Sequence, residues 1–252
     1  MRDLLSGDPA LYCAADKPKP GEKPEAVYLS RLRVDALDRI YRTQFCLSPS
    51  DAASNAASSF ELWSEVRHAS IAEHLAPSLL STLSFLRSLR TSAGLPLLLG
   101  SVTNGNADPR LVPCLSSLFD FSVKAEDVGS LKPCPRLFSS ALSAASSLAP
   151  HLPKRLGPWW VHIGDDEVRD AEGAKAVGMR TILARGLFDK DKEGSSVGAK
   201  KDDGVHVGGG GREKKRGDGE EYCDHVVGHF EHIQHVIDKW MKDARVETHK
   251  ND

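Results

Sequence analysis

The sequence predicts an α/β fold, a Rossmann-like core with a parallel sheet and helices on both faces, on three observations. From Pro77 onward, helical and strand-like segments alternate, which is the pattern of strands joined by crossover helices. The strand-like segments are short and almost wholly apolar, as suits strands covered on both faces. Polar residues gather where these runs stop, in Ser101-Val102-Thr103-Asn104-Gly105, Gly129-Ser130-Leu131-Lys132-Pro133 and His162-Ile163-Gly164-Asp165-Asp166. In an open parallel sheet, ligands sit at the carboxyl ends of the strands.

Residues 1–75 carry no alternating strand pattern and are expected to form a small helical unit. Lys17 to Pro24 is a solvated stretch, because its prolines forbid a regular helix. Tyr28, Leu29, Leu32, Leu37, Ile40 and Tyr41 then mark one helical stripe, and a second helix is expected from about Ser50 to Glu73, with Phe60, Leu62, Trp63 and Val66 as its apolar content. A core follows over 76–186. Leu79, Leu80, Leu83, Leu86 and Leu89 line a helix that Gly94 should end. Leu95 to Val102 reads as a buried strand, Leu111 to Leu118 as a short helix, and Phe119 to Val123 as a strand. A helix opening after Lys132-Pro133 carries Phe138, Leu142, Ala145 and Leu148. Trp159 to Ile163 is the next strand, Val168 to Val177 a helix closed by Gly178, and Arg180 to Leu183 another strand. Residues 187–221, with Gly208-Gly209-Gly210-Gly211, have almost no large apolar residues and read as a disordered insertion. Residues 222–252 resume a short strand and the last helix.

Composition narrows the function classes. The formal charge of −2 over 252 residues gives no general reason to expect nucleic-acid binding. The basic cluster Arg212 to Arg216 is diluted by neighbouring acids. No apolar run approaches the roughly 20 residues of a membrane span. Cys13, Cys46, Cys114, Cys134 and Cys223 are dispersed and never form C-x-x-C, so reduced thiols and a cytoplasmic location are expected.

The polar run ends carry the chemistry. Thr103 would direct its hydroxyl, with the backbone N–H of Asn104, at a phosphate oxygen. Lys132, at a helix start, would add a full positive charge to the helix dipole. Asp165 can ligate Mg²⁺, a hard cation that favours carboxylates and water, and Asp170 can support the metal shell. A phosphoryl group in transfer needs that balance of cations around its oxygens and acids around the metal. His225, His229, His232 and His235 have spacings that suggest a metal site. However, Phe230, Ile233, Val236, Ile237 and Trp240 form the buried stripe and leave the histidines as solvated neighbours. His162, inside a strand, reads as a packed core histidine.

Together these segments resemble the haloacid dehalogenase-like hydrolase superfamily. Thr103-Asn104-Gly105 is similar to its second motif, Lys132 in Gly-x-x-Lys-Pro to its third, and Gly164-Asp165-Asp166-x-x-x-Asp170 to its fourth. Asp170 to Met179 resembles the family's following helix and turn, and Asp224-His225-Val226-Val227 its last strand. Thr103-Asn104-Gly105-Asn106-Ala107-Asp108-Pro109 is similar to a subgroup of small-metabolite phosphatases, some acting on flavin nucleotides or their precursors. The resemblance implies a helical cap over 1–75. It also implies Thr103, Asn104, Gly105 and Lys132 as phosphate-binding residues, Asp165, Asp166 and Asp170 as the Mg²⁺ site, and a small phosphorylated metabolite as partner. Phosphomonoester hydrolysis through an aspartyl-phosphate is expected over dehalogenation, because the superfamily's dehalogenases need no metal and generally lack the acidic fourth motif. The family's nucleophile stands in an Asp-x-Asp after an apolar strand ahead of the cap, and neither is found before Pro77. The first core strand and nucleophile are therefore expected to be missing from a fragment. The alternative is an inactive pseudoenzyme that binds a phosphometabolite or a protein. Asp189-Lys190-Asp191 opens the charged insertion and could be the nucleophile only in a rearranged topology.

Overall fold

The computed structural model describes residues 25–185 and 223–248, with side chains to 243. The insertion at 187–221, Asp189 and Asp191 lie outside the described residues. The chain divides into two units: Met1–Ala76 with Leu98–Lys154, and Pro77–Leu97 with Arg155–Asp252. Helices and parallel strands make up both; the strands pair in parallel, and an isolated antiparallel bridge joins Arg90 and Pro96.

The first unit opens with a helical pair. Helix α1 (Leu29–Gln44) buries Leu32, and α2 (Pro49–Glu73) packs against it. The start of α2 is dictated locally. The Ser48 hydroxyl accepts from Asp51 N at 3.2 Å, Pro49 fits the first turn, and Asp51 complements the dipole. The buried positions of α2 are Ala52, Ala56 and His68, whereas Leu62, Trp63 and Val66 are exposed. Small side chains at i and i+4 let the two helices approach closely.

Two parallel strands follow, β1 (Gly100–Thr103) and β2 (Phe121–Lys124), registered Thr103 to Lys124. The apolar run expected as one strand over Leu95 to Val102 is only partly strand. Leu97, Leu98 and Leu99 are half-buried, and the ladder begins where Asp120 bonds both the N–H and the carbonyl of Leu99. Gly100 is required at that entry, since a Cβ there would lie 2.0–2.5 Å from the Phe121 ring. The helix expected at Leu111 to Leu118 is instead a 3-10 turn at Pro109–Leu111 followed by turns. Pro113 has no N–H to continue a helix.

Helix α4 is short (Ala125–Val128; α3, Pro77–Ser88, belongs to the second unit) and ends on Gly129 at φ +72°, a conformation that favours glycine. Helix α5 (Pro135–Leu148) packs on β1 and β2. It begins three residues after Lys132 and buries Leu137, Phe138, Ala141 and Ala145. The expected Leu148 is exposed, so the buried face is rotated from the stripe read in the sequence.

In the second unit, α3 (Pro77–Ser88) packs on the last helix, α7 (Phe230–Thr248), with Gln234 Nε2 donating to Thr82 Oγ1 at 2.9 Å. Gly94 does not cap α3. At φ +76° it closes a separate turn, donating to the Thr91 carbonyl. Strands β3 (Val161–Gly164), β4 (Arg180–Ala184) and β5 (His225–Val227) form a sheet in the order β3-β4-β5. The central strand β4 buries Thr181, Ile182, Leu183 and Ala184. One helix was expected over Val168 to Val177. A π-helical turn at Glu167–Glu172 runs into α6 (Gly173–Ala176) instead, and Gly178 closes it at φ +85°. Phe230, Ile233, Val236 and Ile237 are buried on α7, and Trp240 lies against the His225 ring. No helix of the described residues is long and apolar enough to cross a membrane.

Candidate active site

The first unit brings together four of the residues singled out in the sequence. Thr103 ends β1, and its Oγ1 accepts from Gly105 N at 2.9 Å, which leaves the hydroxyl hydrogen available to a ligand. Asn104 grips the backbone of Lys132 at two points. Its Oδ1 accepts from Lys132 N at 2.6 Å, and its Nδ2 donates to Lys132 O at 3.2 Å. Residues 28 apart in the chain are thereby held side by side. The Lys132–Pro133 peptide is cis, and Lys132 stands in the bend between α4 and α5 rather than in the first turn of α5. The loop thus sets a hydroxyl and an ammonium-bearing residue next to each other, donors suited to phosphoryl oxygens.

The rest of Thr103 to Pro109 is bonded to the helical pair. Asn106 Oδ1 accepts from Arg67 Nη1 at 2.9 Å, and Asn106 Nδ2 donates to Ser30 Oγ at 3.0 Å. Ser30 in turn donates from N and Oγ to the two carboxylate oxygens of Glu126. Asp108 N donates to His68 Nε2 at 3.4 Å, while His68 Nδ1 donates to Ser64 O at 2.7 Å, which fixes the ring as the Nδ1–H tautomer. The buried Asp108 carboxylate receives the Arg110 guanidinium on both oxygens and Arg110 N as well. Burial alone would push the Asp108 pKa up. The Arg110 bonds outweigh it and hold the carboxyl below its ordinary value. Ser30, Arg67, His68 and Glu126 were not singled out in the sequence. They lie on helices far along the chain and belong to no local pattern.

The acidic loop belongs to the second unit. Gly164 ends β3, and a Cβ on it would lie 2.2–2.5 Å from the Asp170 side chain, so glycine is needed for that carboxylate to pack there. Asp170 is buried, with Oδ1 2.9 Å from His162 Nε2 and Oδ2 accepting from Asp166 N at 3.1 Å. Asp166 caps the π-helical turn, its Oδ1 accepting from Val168 N and Arg169 N. Asp165 is exposed and makes no hydrogen bond or ion pair among the described residues. The three acids therefore differ in role: Asp170 anchors the loop, Asp166 caps it, and Asp165 faces solvent.

No group of three or more His, Cys, Asp or Glu side chains in the described residues could hold a metal. That disposition still suits Mg²⁺, which binds through one or two carboxylates and keeps several waters. Asp165 is the available ligand. The histidines of the C-terminal segment form no metal cluster among the described residues either. Burial pushes the His225 pKa down beside Trp240, and His229 and His232 meet edge to face.

No family model matches the chain. A stretch of 70 residues is 43% identical to haloacid dehalogenase-like hydrolase domain-containing protein 3 of Xenopus laevis, covering 28% of this chain and 25% of that protein. The Bos taurus protein of the same name is 38% identical over 86 residues, 32% of this chain and 31% of its own length. The chain thus matches less than a third of the length of these curated relatives. Among solved structures, a 2-haloacid dehalogenase from Pseudomonas syringae pv. Tomato DC3000 superposes with a TM-score of 0.61 over 95% of this chain and 78% of its own, at 24% identity. That likeness is one of fold.

Proposed function

We propose that the chain is of the haloacid dehalogenase-like superfamily, which it resembles over 70–86 residues and in fold, and that it serves Mg²⁺-dependent hydrolysis of a small phosphorylated metabolite. The observation that carries the reading is the two-point grip of Asn104 on Lys132, which holds the lysine beside Thr103 at a strand's carboxyl end. Lys132 and Thr103 would hold the phosphoryl oxygens, and the Asn104 amide would keep them in register. Asp165 would hold the Mg²⁺, with Asp166 and Asp170 setting the loop that presents it. When bound, the cation would neutralise charge on the phosphoryl oxygens. Dehalogenation is the competing hydrolase chemistry. A lysine, a hydroxyl and an available carboxylate suit a phosphate ester better than a carbon–halogen bond.

The sequence's Asp-x-Asp is Asp189-Lys190-Asp191, in the Gly/Lys/Asp-rich stretch. We assign no nucleophile within the 252 residues and propose that the attacking aspartate, in an Asp-x-Asp, is contributed by residues other than these. A cytoplasmic location is part of the same proposal, on the dispersed cysteines. A second reading is a phosphometabolite-binding module without turnover.

The test combines the endogenous protein's N-terminal sequence, from mass spectrometry, with its turnover of an aryl phosphate and Mg²⁺. A protein with an added Asp-x-Asp that turns over substrate, and loses turnover on Asp165→Asn, supports the enzyme. A protein made of these residues alone that binds phosphomonoesters without turnover is the module. Mg²⁺-dependent turnover by the 252-residue chain would overturn the assignment of the nucleophile.

A further inference from the structure

The helical pair of the first unit carries a basic feature that the phosphate reading leaves unused. Arg33 on α1 and Arg67 on α2 both lie against the indole of Trp63, their Cζ atoms 4.9 and 5.3 Å from the ring centroid. Two like charges thus share one aromatic ring. Glu126, the carboxylate that acts on Arg33, is already accepting from Ser30 on both oxygens. Burial first, and the Arg67 charge second, lower the Arg33 pKa. Arg33 Nη1 is buried with no hydrogen-bond partner among the described residues. A buried donor left unpaired beside a like charge is costly, and since Arg33 as a whole is only half-buried, an anion on the accessible part of its guanidinium would offset the like charge.

The position of the pair ties it to the loop that ends in Thr103. Arg67 donates to Asn106, and Ser30, three residues before Arg33 and so on the same face of α1, accepts from that asparagine. An open cleft of about 490 Å³ runs along α2, lined by Trp63, Val66, Arg67, Ser70, Ile71 and His74. Most of its wall is apolar.

We propose that Arg33 and Arg67, braced on Trp63, bind a second, non-reacting carboxylate of the substrate, so that the preferred substrate is a phosphomonoester carrying a carboxylate on an apolar body. The proposal rests on the reading of Thr103 and Lys132 as the phosphate site. Guanidinium–carboxylate pairing is planar and bidentate, which favours a carboxylate here over a neutral polar group.

The test is calorimetric titration of the 252-residue chain with phenyl phosphate, 4-carboxyphenyl phosphate and benzoate. The carboxylated ester is expected to bind about tenfold or more tighter than phenyl phosphate, the scale of one charge-assisted contact. Arg33→Gln should abolish that preference while leaving phenyl phosphate affinity unchanged, and Arg67→Lys should lessen it. Lys132→Ala should weaken both esters. Equal affinity of the two esters, or a preference that survives Arg33→Gln, would overturn the proposal. If neither ester binds, the phosphate reading fails and benzoate decides the arginine pair. Benzoate binding lost in Arg33→Gln would sustain the anion site, and no benzoate binding would refute it.

Discussion

The two loops at strand ends are built in opposite ways. The loop from Thr103 to Asp108 is held from afar: Lys132 grips Asn104, Arg67 and Ser30 grip Asn106, and His68 meets Asp108 across 40 residues. The loop from Gly164 to Asp170 is held mainly by its own neighbours: His162 and Asp166 both bond Asp170 within eight residues, and a longer tie is the exposed Arg185 donating to Glu167 at 2.8 Å. A loop held from afar depends on the packing of several elements, so local damage elsewhere should reach it. A loop held mainly by its own neighbours should fail by itself, and mostly through its one buried carboxylate.

His162→Ala should have the largest effect on stability. It leaves the buried Asp170 carboxylate without its ring partner, and stripping a hydrogen bond from a buried charged group costs more than the about 1–3 kcal/mol of a neutral one. Denaturant midpoints of His162→Ala, Asp170→Ala and the double variant would show it. Strong coupling is expected, and additive losses would mean the pair does not anchor the loop. Gly164→Ala comes next, at about 1–3 kcal/mol, because its Cβ would overlap the Asp170 carboxyl. Neither change should disturb the Thr103 loop, whose amide signals in an NMR spectrum should stay in place.

Arg110→Gln sharpens the comparison from the other side. It should cost about 1.5–3 kcal/mol at neutral pH, since Asp108 is buried and its partner largely exposed. The Asp108 pKa is lower in the folded chain than in the unfolded one. Its contribution is therefore present above the usual aspartate value near about 4 and is lost as the pH falls through the folded value. The two proteins should converge in stability at acid pH, and a gap that stays constant with pH would contradict the assignment. Asn104→Ala should have the smallest effect on folding, about 1–2 kcal/mol for two hydrogen bonds, at least one of them left unpaired on Lys132. Its effect on phosphate binding should be much larger than its effect on stability, whereas Gly164→Ala should show the reverse.

The contrast also explains what could be read in the sequence. The alternation of helix and strand placed Thr103 and Asp165 at strand ends, because apolar runs and glycines mark those boundaries locally. The buried face of α7 followed from its helical period. The Leu95 to Val102 run misled as to extent, since apolar content does not say which residues find a ladder partner. The helix over Val168 to Val177 was legible as helical, but not as a π-helical turn, which depends on Asp166 capping and Asp170 folding back to His162. His162 is packed as its strand position suggests, yet its bond to Asp170 joins a strand and a turn that no periodicity links. The same holds for Asn104 with Lys132 and for Arg67 with Asn106. Hydrogen bonds between distant segments leave no spacing to read.

The most direct measurement is the affinity of the 252-residue chain for inorganic phosphate in the presence of Mg²⁺, by calorimetry, beside Lys132→Ala and Asn104→Ala. Both variants should lose about tenfold or more in affinity while remaining folded, the lysine through its charge and the asparagine through misplacement of that charge. Equal binding by all three proteins, or none by the unaltered chain, would contradict the assignment of the Asn104–Lys132 constellation as a phosphate site.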